Sequence, residues 1–395
     1  MCISKFLFEN HSFCNGCAAC FNSCSYNAIT MREDKEGFLY PVVDEQLCRK
    51  CRICITKCPV LSPRFLPDTQ NVKPLGYAYI NEGEVRNNSS SGGFFHTLSE
   101  YVLRKRGVVF GAAFNKNWVV EHQVVKTIEN INKLQTSKYS QSRIGATYRK
   151  VKEYLDKGIP VLFTGTPCQC EGLLSYLPVD YGSLLITADV ICHGVPSPIV
   201  WKKYLSHSVN GNIDHIDYVS FRDKSISWID YSVTICLRGA SNIKHRAADD
   251  LYMKGFLQNI TLRLSCYECR FNHEECHTDF TLGDYWGVES LDSDMFDNMG
   301  TSLVIIHNEK SYNIFKDLKG KKKRINLSDA IKTNPAYYKP ALFNPKRGKF
   351  FAKLERGISV DRCLYEFTKP PLITRIKQFM KRIAFIKHAY ELLKR

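Results

Sequence analysis

Two cysteine runs with the same spacing constrain this chain more than any other feature. They are Cys14, Cys17, Cys20 and Cys24, followed by Cys48, Cys51, Cys54 and Cys58. Pro59 follows the second run, and Ser25 stands at the corresponding position of the first. The spacing C-x2-C-x2-C-x3-C is typical of bacterial proteins that bind two 4Fe-4S clusters. The runs therefore predict two clusters near the N-terminus and, with them, electron transfer.

The fourth cysteine of each run is expected to bind the cluster of the other run, as in the bacterial pattern. One cluster would take Cys14, Cys17, Cys20 and Cys58, and the other Cys48, Cys51, Cys54 and Cys24. Residues 37–44, between the runs, are predicted to form a hairpin strand. The alternatives are a zinc site or unconnected thiols, and the doubled pattern disfavours both. We assign residues 1–62 to a bacterial two-cluster ferredoxin module.

Beyond a Pro-rich link at 59–74, the chain alternates short β-rich runs with helical stretches. Strands are predicted at 108–114, 119–125, 160–165 and 184–192, and helices at 94–105, 145–156 and 196–206. Such alternation favours an α/β fold with a buried sheet, so the whole chain is expected to be α+β.

The net charge is +16, and 17 cysteines is a high number for one chain. Tight cysteine spacings favour metal or cluster binding over disulfides. The sequence shows no signal peptide and no apolar run of the ~18–20 residues that would span a bilayer, so we expect a cytoplasmic protein. Nucleic-acid binding is not expected, because no recognition module accompanies the charge.

Much of the positive charge lies in the C-terminal tail, assigned to residues 346–395. Residues 369–395 contain eight Lys and Arg residues and one Glu. Apolar residues there recur every three or four positions, which predicts a basic amphipathic helix. Such a helix can lie on an anionic membrane surface, and packing on the rest of the chain or on a partner is the alternative.

Several short motifs stand at predicted strand–helix junctions. SSSGGFF at 89–95 precedes a helix, where free N–H groups suit a phosphate. GTPCQ at 165–169 and CHGVPS at 192–197 each follow a strand, where α/β sheets bind ligands. CYEC at 266–269 and LGDYWG at 282–287 come later. Each motif alone is equally compatible with an ordinary turn.

Together with SKYSQS at 137–142, these motifs occur in an order that resembles the beta-subunit family of coenzyme F-420 hydrogenases and dehydrogenases. The resemblance covers residues 10 to about 345. It is strongest to a bacterial branch with a fused ferredoxin module that is associated with surface-polysaccharide gene sets. Within it, we assign 75–158 to the family's N-terminal domain and 159–345 to its C-terminal domain.

The resemblance implies FAD, bound by an α/β flavin-binding part of the chain. The matching positions are Ser91, Gly92, Gly93, Lys138, Tyr139, Ser142, Thr164, Gly165, Thr166, Pro167 and Gln169. A cation at Lys138 would stabilise a reduced, anionic flavin ring. The alternative for Lys138 is a solvated surface charge.

Four further cysteines lie within the family-like motifs, namely Cys168, Cys192, Cys266 and Cys269. Four thiolates are what a third 4Fe-4S cluster requires. The alternatives are a zinc site and buried free thiols, and Cys276 is a substitute ligand in either metal site. His193 is a candidate proton donor to substrate, or it holds its own loop by a hydrogen bond. Residues 284–286 either line the flavin or substrate pocket or form a buried turn.

These expectations combine into an iron–sulfur flavoprotein oxidoreductase. Electrons from a ferredoxin-like donor protein would reach FAD through the clusters and leave to an organic or deazaflavin acceptor. One alternative is an electron-transfer subunit that feeds a separate reductase, in surface-polysaccharide biosynthesis for the branch named above. Another is a scaffold in which the cofactor sites are relics, which the intact cysteine runs disfavour.

Overall fold

A computed structural model of the protein describes residues 12–64, 73–271 and 277–369. The N-terminal module contains α1 (Ala19–Ser23), β1 (Ile29–Glu33), β2 (Leu39–Val43) and α2 (Ile53–Thr56). β1 and β2 pair in antiparallel fashion, which confirms the predicted hairpin strand. Phe38 and Tyr40 are buried against Cys14, Cys20 and Cys58, so the core of the module lies beside its cysteines.

An eight-stranded sheet forms the centre of the α/β part. Its strands are β3 (Leu75–Ile80), β4 (Val108–Phe114), β5 (Val120–Val125), β6 (Val161–Gly165), β7 (Leu185–Val190), β11 (Phe280–Asp284), β12 (Ser302–Ile306) and β13 (Lys321–Arg324). The spatial order is β13-β3-β12-β11-β7-β6-β4-β5. The central strands β4, β6, β7 and β11 are parallel, and the outer pairings are antiparallel. Strands from both 75–158 and 159–345 share this sheet, and the boundary between the two ranges stays a prediction.

Helices cover the sheet and form a second lobe. In chain order they are α3 (Gly83–Asn87), α4 (Phe94–Arg104), α5 (Thr147–Asp156), α6 (Pro167–Tyr176), α7 (Pro198–Ser208), α8 (Leu251–Leu257), α9 (Val288–Leu291), α10 (Glu309–Asp317), α11 (Leu327–Lys332), α12 (Arg347–Glu355) and α13 (Val360–Thr368). The second lobe contains an antiparallel sheet of β8 (Ile216–Asp223), β9 (Ser232–Leu237) and β10 (Ile243–Arg246). Its core includes Trp201, Phe221 and Tyr252.

The predicted α/β elements are confirmed with small shifts at their ends. The helix predicted from 196 begins at Pro198, because the Ser197 hydroxyl caps it by accepting from the Val200 N–H. The strand predicted to reach 192 ends at Val190. The Ile191 N–H still donates to the Leu282 carbonyl, and the chain then leaves the sheet.

Of the predicted tail, residues 346–369 form α12 and α13. The basic amphipathic helix predicted beyond them falls outside the described residues. Among the helices that the structure describes, none has the length and hydropathy needed to cross a membrane.

Gly92 lies very close to the backbone of β3 and β12. A Cβ atom at this position would lie 2.1 Å from the Tyr79 carbonyl oxygen and 2.6 Å from the Ser302 nitrogen. Both obstacles are backbone atoms, so a side chain cannot be accommodated by a change of rotamer. The neighbouring Gly93 has φ +90° at the N-cap of α4, a conformation that favours glycine. Packing and backbone conformation therefore favour glycine at positions 92 and 93, independently of any ligand.

We predict that Gly92→Ala lowers the free energy of unfolding by about 2–3 kcal/mol, because the added methyl group would overlap backbone atoms of β3 and β12 and displace the loop or the strands. Thermal unfolding of the purified chain measures the change. Gly348→Ala is the matched control, since a Cβ atom added there would have no atom within 4 Å and its φ is not left-handed. Equal stability of the two variants would contradict the packing role of Gly92.

Candidate functional site

A cavity of about 510 Å³ lies at the carboxyl ends of the parallel strands. Thr164 and Gly165 end β6, Val190 ends β7, and Leu282 to Asp284 end β11, and all of them line the cavity. Open α/β sheets bind ligands at this edge, and the volume lies within the range of ~300–1,000 Å³ that is common for small-molecule sites.

Most residues predicted to bind a flavin line this cavity. They are Ser91, Gly93, Lys138, Tyr139, Ser142, Thr164, Gly165, Thr166 and Gln169, and His193 joins them. Gly92 and Pro167 are not among its lining residues. Gly92 packs against β3 and β12 instead, and Pro167 begins α6 and lines a second, smaller cavity.

Buried polar contacts fix the loops at this edge. His122 Nε2 lies 2.9 Å from the Thr164 carbonyl oxygen, so this nitrogen carries the proton. His122 Nδ1 then accepts from the Ser142 hydroxyl at 2.7 Å. Burial lowers the pKa of His122 to about 4, which keeps the ring neutral. The Gln169 side chain accepts from the Thr166 N–H and donates to the Ser142 carbonyl. Ser142 is thus held on both sides.

Lys138 is partly buried at the cavity rather than solvated as a surface charge. Its Nζ donates to the carbonyl oxygens of Lys133 at 3.2 Å and Gln135 at 2.5 Å. Burial lowers the pKa of Lys138 to about 7. The side chain is therefore close to half-protonated at neutral pH, and a negative group in the cavity would favour its charged form.

Arg222 and Tyr231 of the second lobe, which lie outside the sequence motifs, form one wall of the cavity together with residues of the LGDYWG motif. The guanidinium of Arg222 lies over the Tyr231 ring at 3.9 Å and the Trp286 ring at 5.1 Å. Its Nη2 donates to Asp284 Oδ1 at 3.1 Å, and Trp228 Nε1 donates to the same oxygen. Asp284 and Trp286 thus line the cavity, and the intervening side chain, Tyr285, packs in a separate core.

The smaller cavity is lined by the four cysteines predicted to bind a third cluster, Cys168, Cys192, Cys266 and Cys269. Each sulfur has a neighbouring donor. The Val195 N–H donates to Cys266 Sγ at 3.4 Å, and the Thr166 hydroxyl lies 3.2 Å from Cys168 Sγ. Backbone N–H groups of Gly194 and Phe271 serve the other two.

The four thiols also influence one another. Burial raises the pKa of Cys168 to about 12, and Cys269 and Cys266 contribute to that shift. Burial raises the pKa of Cys192 too, with contributions from Cys266, Cys168 and Cys269. Thiols with pKa values raised in this way ionise only when a nearby cation compensates the negative charge of the thiolates, and a bound metal supplies that positive charge. The donor set of four sulfurs and four hydrogen-bond donors therefore fits an iron–sulfur cluster.

The two cavities share a wall. Cys192, His193, Gly194, Val195 and Ala336 line both of them. His193 Nε2 lies 2.6 Å from Asn259 Oδ1, and the Asn259 amide nitrogen donates to the Leu342 carbonyl, so His193 Nε2 is the donor. Burial lowers the pKa of His193, although its contact with Asn259 opposes the shift.

The first cysteine run lies on the other side of the smaller cavity. Cys14, Cys17, Cys20 and Cys58 line a third cavity, and Asn15 lines both this cavity and the smaller one. Cys168 contributes to the raised pKa of Cys17, after burial and Cys58. The remaining ferredoxin cysteines lie farther out. Cys51 is exposed, and Cys24, Cys48 and Cys54 are partly buried. Their shared cluster stays a prediction, as does Cys276, which lies outside the described residues.

Within the described ranges, no three His, Cys, Asp or Glu side chains are grouped closely enough to hold a single metal ion. This finding includes the ferredoxin cysteines. Each thiolate of a 4Fe-4S cluster binds a different iron, so cluster ligands lie farther apart than the ligands of one zinc ion.

Two arginines, Arg149 and the buried Arg347, attach the ferredoxin module to the α/β part. Arg149 donates to the carbonyls of Asn22 and Phe21. Arg347 donates to the Leu262 carbonyl and forms an ion pair with Glu36. These contacts fix the first cysteine run relative to the sheet.

Comparison with known families agrees with this architecture. Residues 13–61 match the 4Fe-4S dicluster domain, and residues 160–332 match the C-terminal family of the coenzyme F420 hydrogenase/dehydrogenase beta subunit. Over these residues the chain is similar to both families. The resemblance seen in the motifs is confirmed, and the chain is an iron–sulfur electron-transfer protein related to an oxidoreductase family.

A curated relative is the F subunit of the F(420)H(2) dehydrogenase of Methanosarcina mazei, 24% identical over 170 residues. The match covers 41% of this chain and 47% of the relative, so the chain spans about half the length of the curated relative. A solved structure, the F420-reducing [NiFe] hydrogenase complex of Methanosarcina barkeri, gives a TM-score of 0.45 at 15% identity. It covers 76% of this chain and 95% of the other, and at that score it supports no conclusion.

Sequence reasoning missed the residues that lie between motifs. Arg222 lies in β8 and Tyr231 immediately precedes β9, in a part of the second lobe where no strand was predicted, and His122 is a buried residue of β5. Arg263 was missed as well, although it stands three residues before Cys266. The signal available in the sequence was an arginine close to the C-x2-C pair Cys266 and Cys269, because buried cations accompany anionic groups.

We predict that Lys138 titrates near pH 7 in the cofactor-free protein, because burial disfavours its charged form and lowers its pKa to about 7. Competitive labelling of amines across a wide pH range, followed by mass spectrometry of the Lys138 peptide, measures the midpoint. An ordinary lysine midpoint near ~10.4 would contradict burial of the amine at the cavity. In the Lys138→Met variant the labelled amine is absent from this peptide, which assigns the titration to Lys138.

Proposed function

We propose that this chain is an iron–sulfur flavoprotein oxidoreductase. Electrons enter from a ferredoxin-like protein and leave to an organic or deazaflavin acceptor. The observation that carries the proposal is the sequence of three cavities. The cavity of the first cysteine run adjoins the four-cysteine cavity through Asn15, and the latter shares a wall with the large cavity.

The cysteines in the first two of these cavities are suited to hold 4Fe-4S clusters, and Cys48, Cys51, Cys54 and Cys24 complete the ferredoxin pair. When bound, clusters carry single electrons and a flavin pairs them, so the two cofactor types complement each other. The chain's own contribution is to bury the thiolates, donate hydrogen bonds to sulfur and exclude water from the route.

FAD is the flavin that we propose for the large cavity. The support is its volume, its place at the carboxyl edge of the sheet, and the loops of Ser91, Ser142 and Thr166 that reach it. Lys138 is placed to hold a proton beside a negative group. His193 is the proposed proton donor to the acceptor. Its Nε2 proton is engaged by Asn259, so a transferable proton would have to sit on Nδ1.

An electron-transfer subunit is the second candidate. The relatives that match are named as subunits, and the chain spans about half of one of them. In that case the reductase is a separate partner. A sugar or sugar nucleotide as acceptor, in surface-polysaccharide biosynthesis, rests on the sequence resemblance. Membrane contact through residues 369–395 likewise stays a proposal from the sequence.

The four-cysteine site predicts about twelve iron and twelve sulfide atoms per anaerobically purified chain, because three 4Fe-4S clusters each contribute four. The double variant Cys266→Ser with Cys269→Ser should retain about eight. Cys236→Ser is the control, since that cysteine lies in β9, away from both cysteine cavities. A count of about eight in the unaltered chain would exclude the third cluster.

The flavin assignment predicts FAD in the supernatant of acid-denatured, anaerobically purified protein, together with broad iron–sulfur absorbance. Chromatography of the released cofactor identifies it. Clusters without any flavin would contradict the flavoenzyme and favour the electron-transfer subunit. Turnover of an organic acceptor by the chain alone, beyond artificial dyes, would exclude the second candidate.

A further inference from the structure

Arg263 is a fully buried cation between two groups of cysteines. It precedes the Cys266–Cys269 clip and lines the four-cysteine cavity. On its other side lies the loop of the first ferredoxin run. A Cβ atom added to Gly16, between Cys14 and Cys17, would lie 2.8 Å from Arg263 Nη1. The guanidinium therefore touches the backbone of one cysteine loop and faces the cavity of the other group.

The hydrogen bonds of Arg263 all go to neutral oxygens. Nε donates to the Cys14 carbonyl at 2.7 Å, Nη2 to the Leu39 carbonyl at 2.9 Å and Nη1 to Gln141 Oε1 at 2.9 Å. Gln141 in turn donates to the Asn15 carbonyl at 2.8 Å. In the part of the chain that the structure describes, Arg263 forms no ion pair with a carboxylate.

A buried charge without a counter-charge is strongly destabilising. The other buried arginines of this chain follow that rule, since Arg86 pairs with Asp297, Arg222 with Asp284 and Arg347 with Glu36. Burial alone would lower the pKa of Arg263, and Tyr40, Cys14 and Cys266 turn the shift upward. Cys14 lies on one side of the guanidinium and Cys266 and Cys269 line the cavity on the other, so these cysteines are placed to supply the compensating charge as thiolates of bound clusters.

We propose that Arg263 is a shared counter-charge for two clusters, the one bound by the first ferredoxin run with Cys58 and the one in the four-cysteine cavity. The inference rests on the proposed function for the second of these clusters. A cluster with four thiolates is anionic, and reduction adds negative charge. A fixed cation in a buried site therefore favours the reduced form of both neighbours.

Arg263 is accordingly a positioning residue that sets the reduction potentials along the route. It acts through charge and through the Cys14 carbonyl, and it touches no substrate. The cluster of Cys48, Cys51, Cys54 and Cys24 has an exposed ligand and lies farther out, so the effect should be confined to two of the three clusters.

The test is an EPR-monitored redox titration of the full chain, purified anaerobically with its clusters. Arg263→Met removes the charge and is expected to lower two midpoint potentials, each by about a tenfold change in the reduction equilibrium, or ~59 mV for one electron. Arg263→Lys keeps the charge and should restore most of the shift. Arg86→Met is the matched control, because it removes a buried arginine that lines neither cysteine cavity.

Unchanged potentials in an Arg263→Met protein that retains about twelve irons would overturn the proposal. An equal shift of the midpoint potentials in Arg86→Met would also overturn it, because it would indicate a general loosening of the fold. So would midpoint potentials in Arg263→Lys that are lowered as much as those in Arg263→Met. Failure of the proposed function has a different signature. In that case the unaltered chain contains about eight irons. Arg263 then cannot be shared between two clusters, because only one cluster lies next to it.

Discussion

Main-chain carbonyls of the ferredoxin module are bound by arginines of the α/β part, and the route between cysteine groups depends on those contacts. Arg149 and Arg263 donate to carbonyls around the first cysteine run. Backbone acceptors have fixed positions, so a bound carbonyl fixes the loop that carries the ligands. A module tethered only by the link at 59–74 would have no defined distance to the sheet.

The parallel centre of the sheet accounts for the second part of the proposed electron route. β6, β7 and β11 end side by side, and three loops leave them at one edge. Thr164, Cys192 and Asp284 therefore meet although they are far apart in sequence. The Cys266–Cys269 clip reaches the same place from the second lobe, where the Arg263 N–H donates to the Val195 carbonyl.

The sequence predicted the elements whose signal is local. The strands and helices from 94 to 206 carry their own periodicity and caps, and the motif residues at strand ends line one cavity because parallel strands end at one edge. The family resemblance supplied the grouping of Cys168 and Cys192 with Cys266 and Cys269. It could not distinguish the packing role of Gly92 from the cavity-lining role of its neighbours, because the contact of Gly92 with Tyr79 and Ser302 is a long-range property. Arg222 was missed for the same reason, since Asp284 and Trp286 come from a distant element. The partners of Arg263 are distant as well, although its place three residues before Cys266 was a local signal.

The wall between the large cavity and the four-cysteine cavity is a single stretch of chain, Cys192 to Val195, supplemented by Ala336. This one segment thus lines both cavities, and a substitution in it changes both environments at once. Arg222 and Tyr231 reach only the large cavity. Under the proposed function, acceptor preference can consequently be re-engineered from the second lobe without altering the lining of the four-cysteine cavity, whereas libraries that randomise residues 192–195 would change both cavities together.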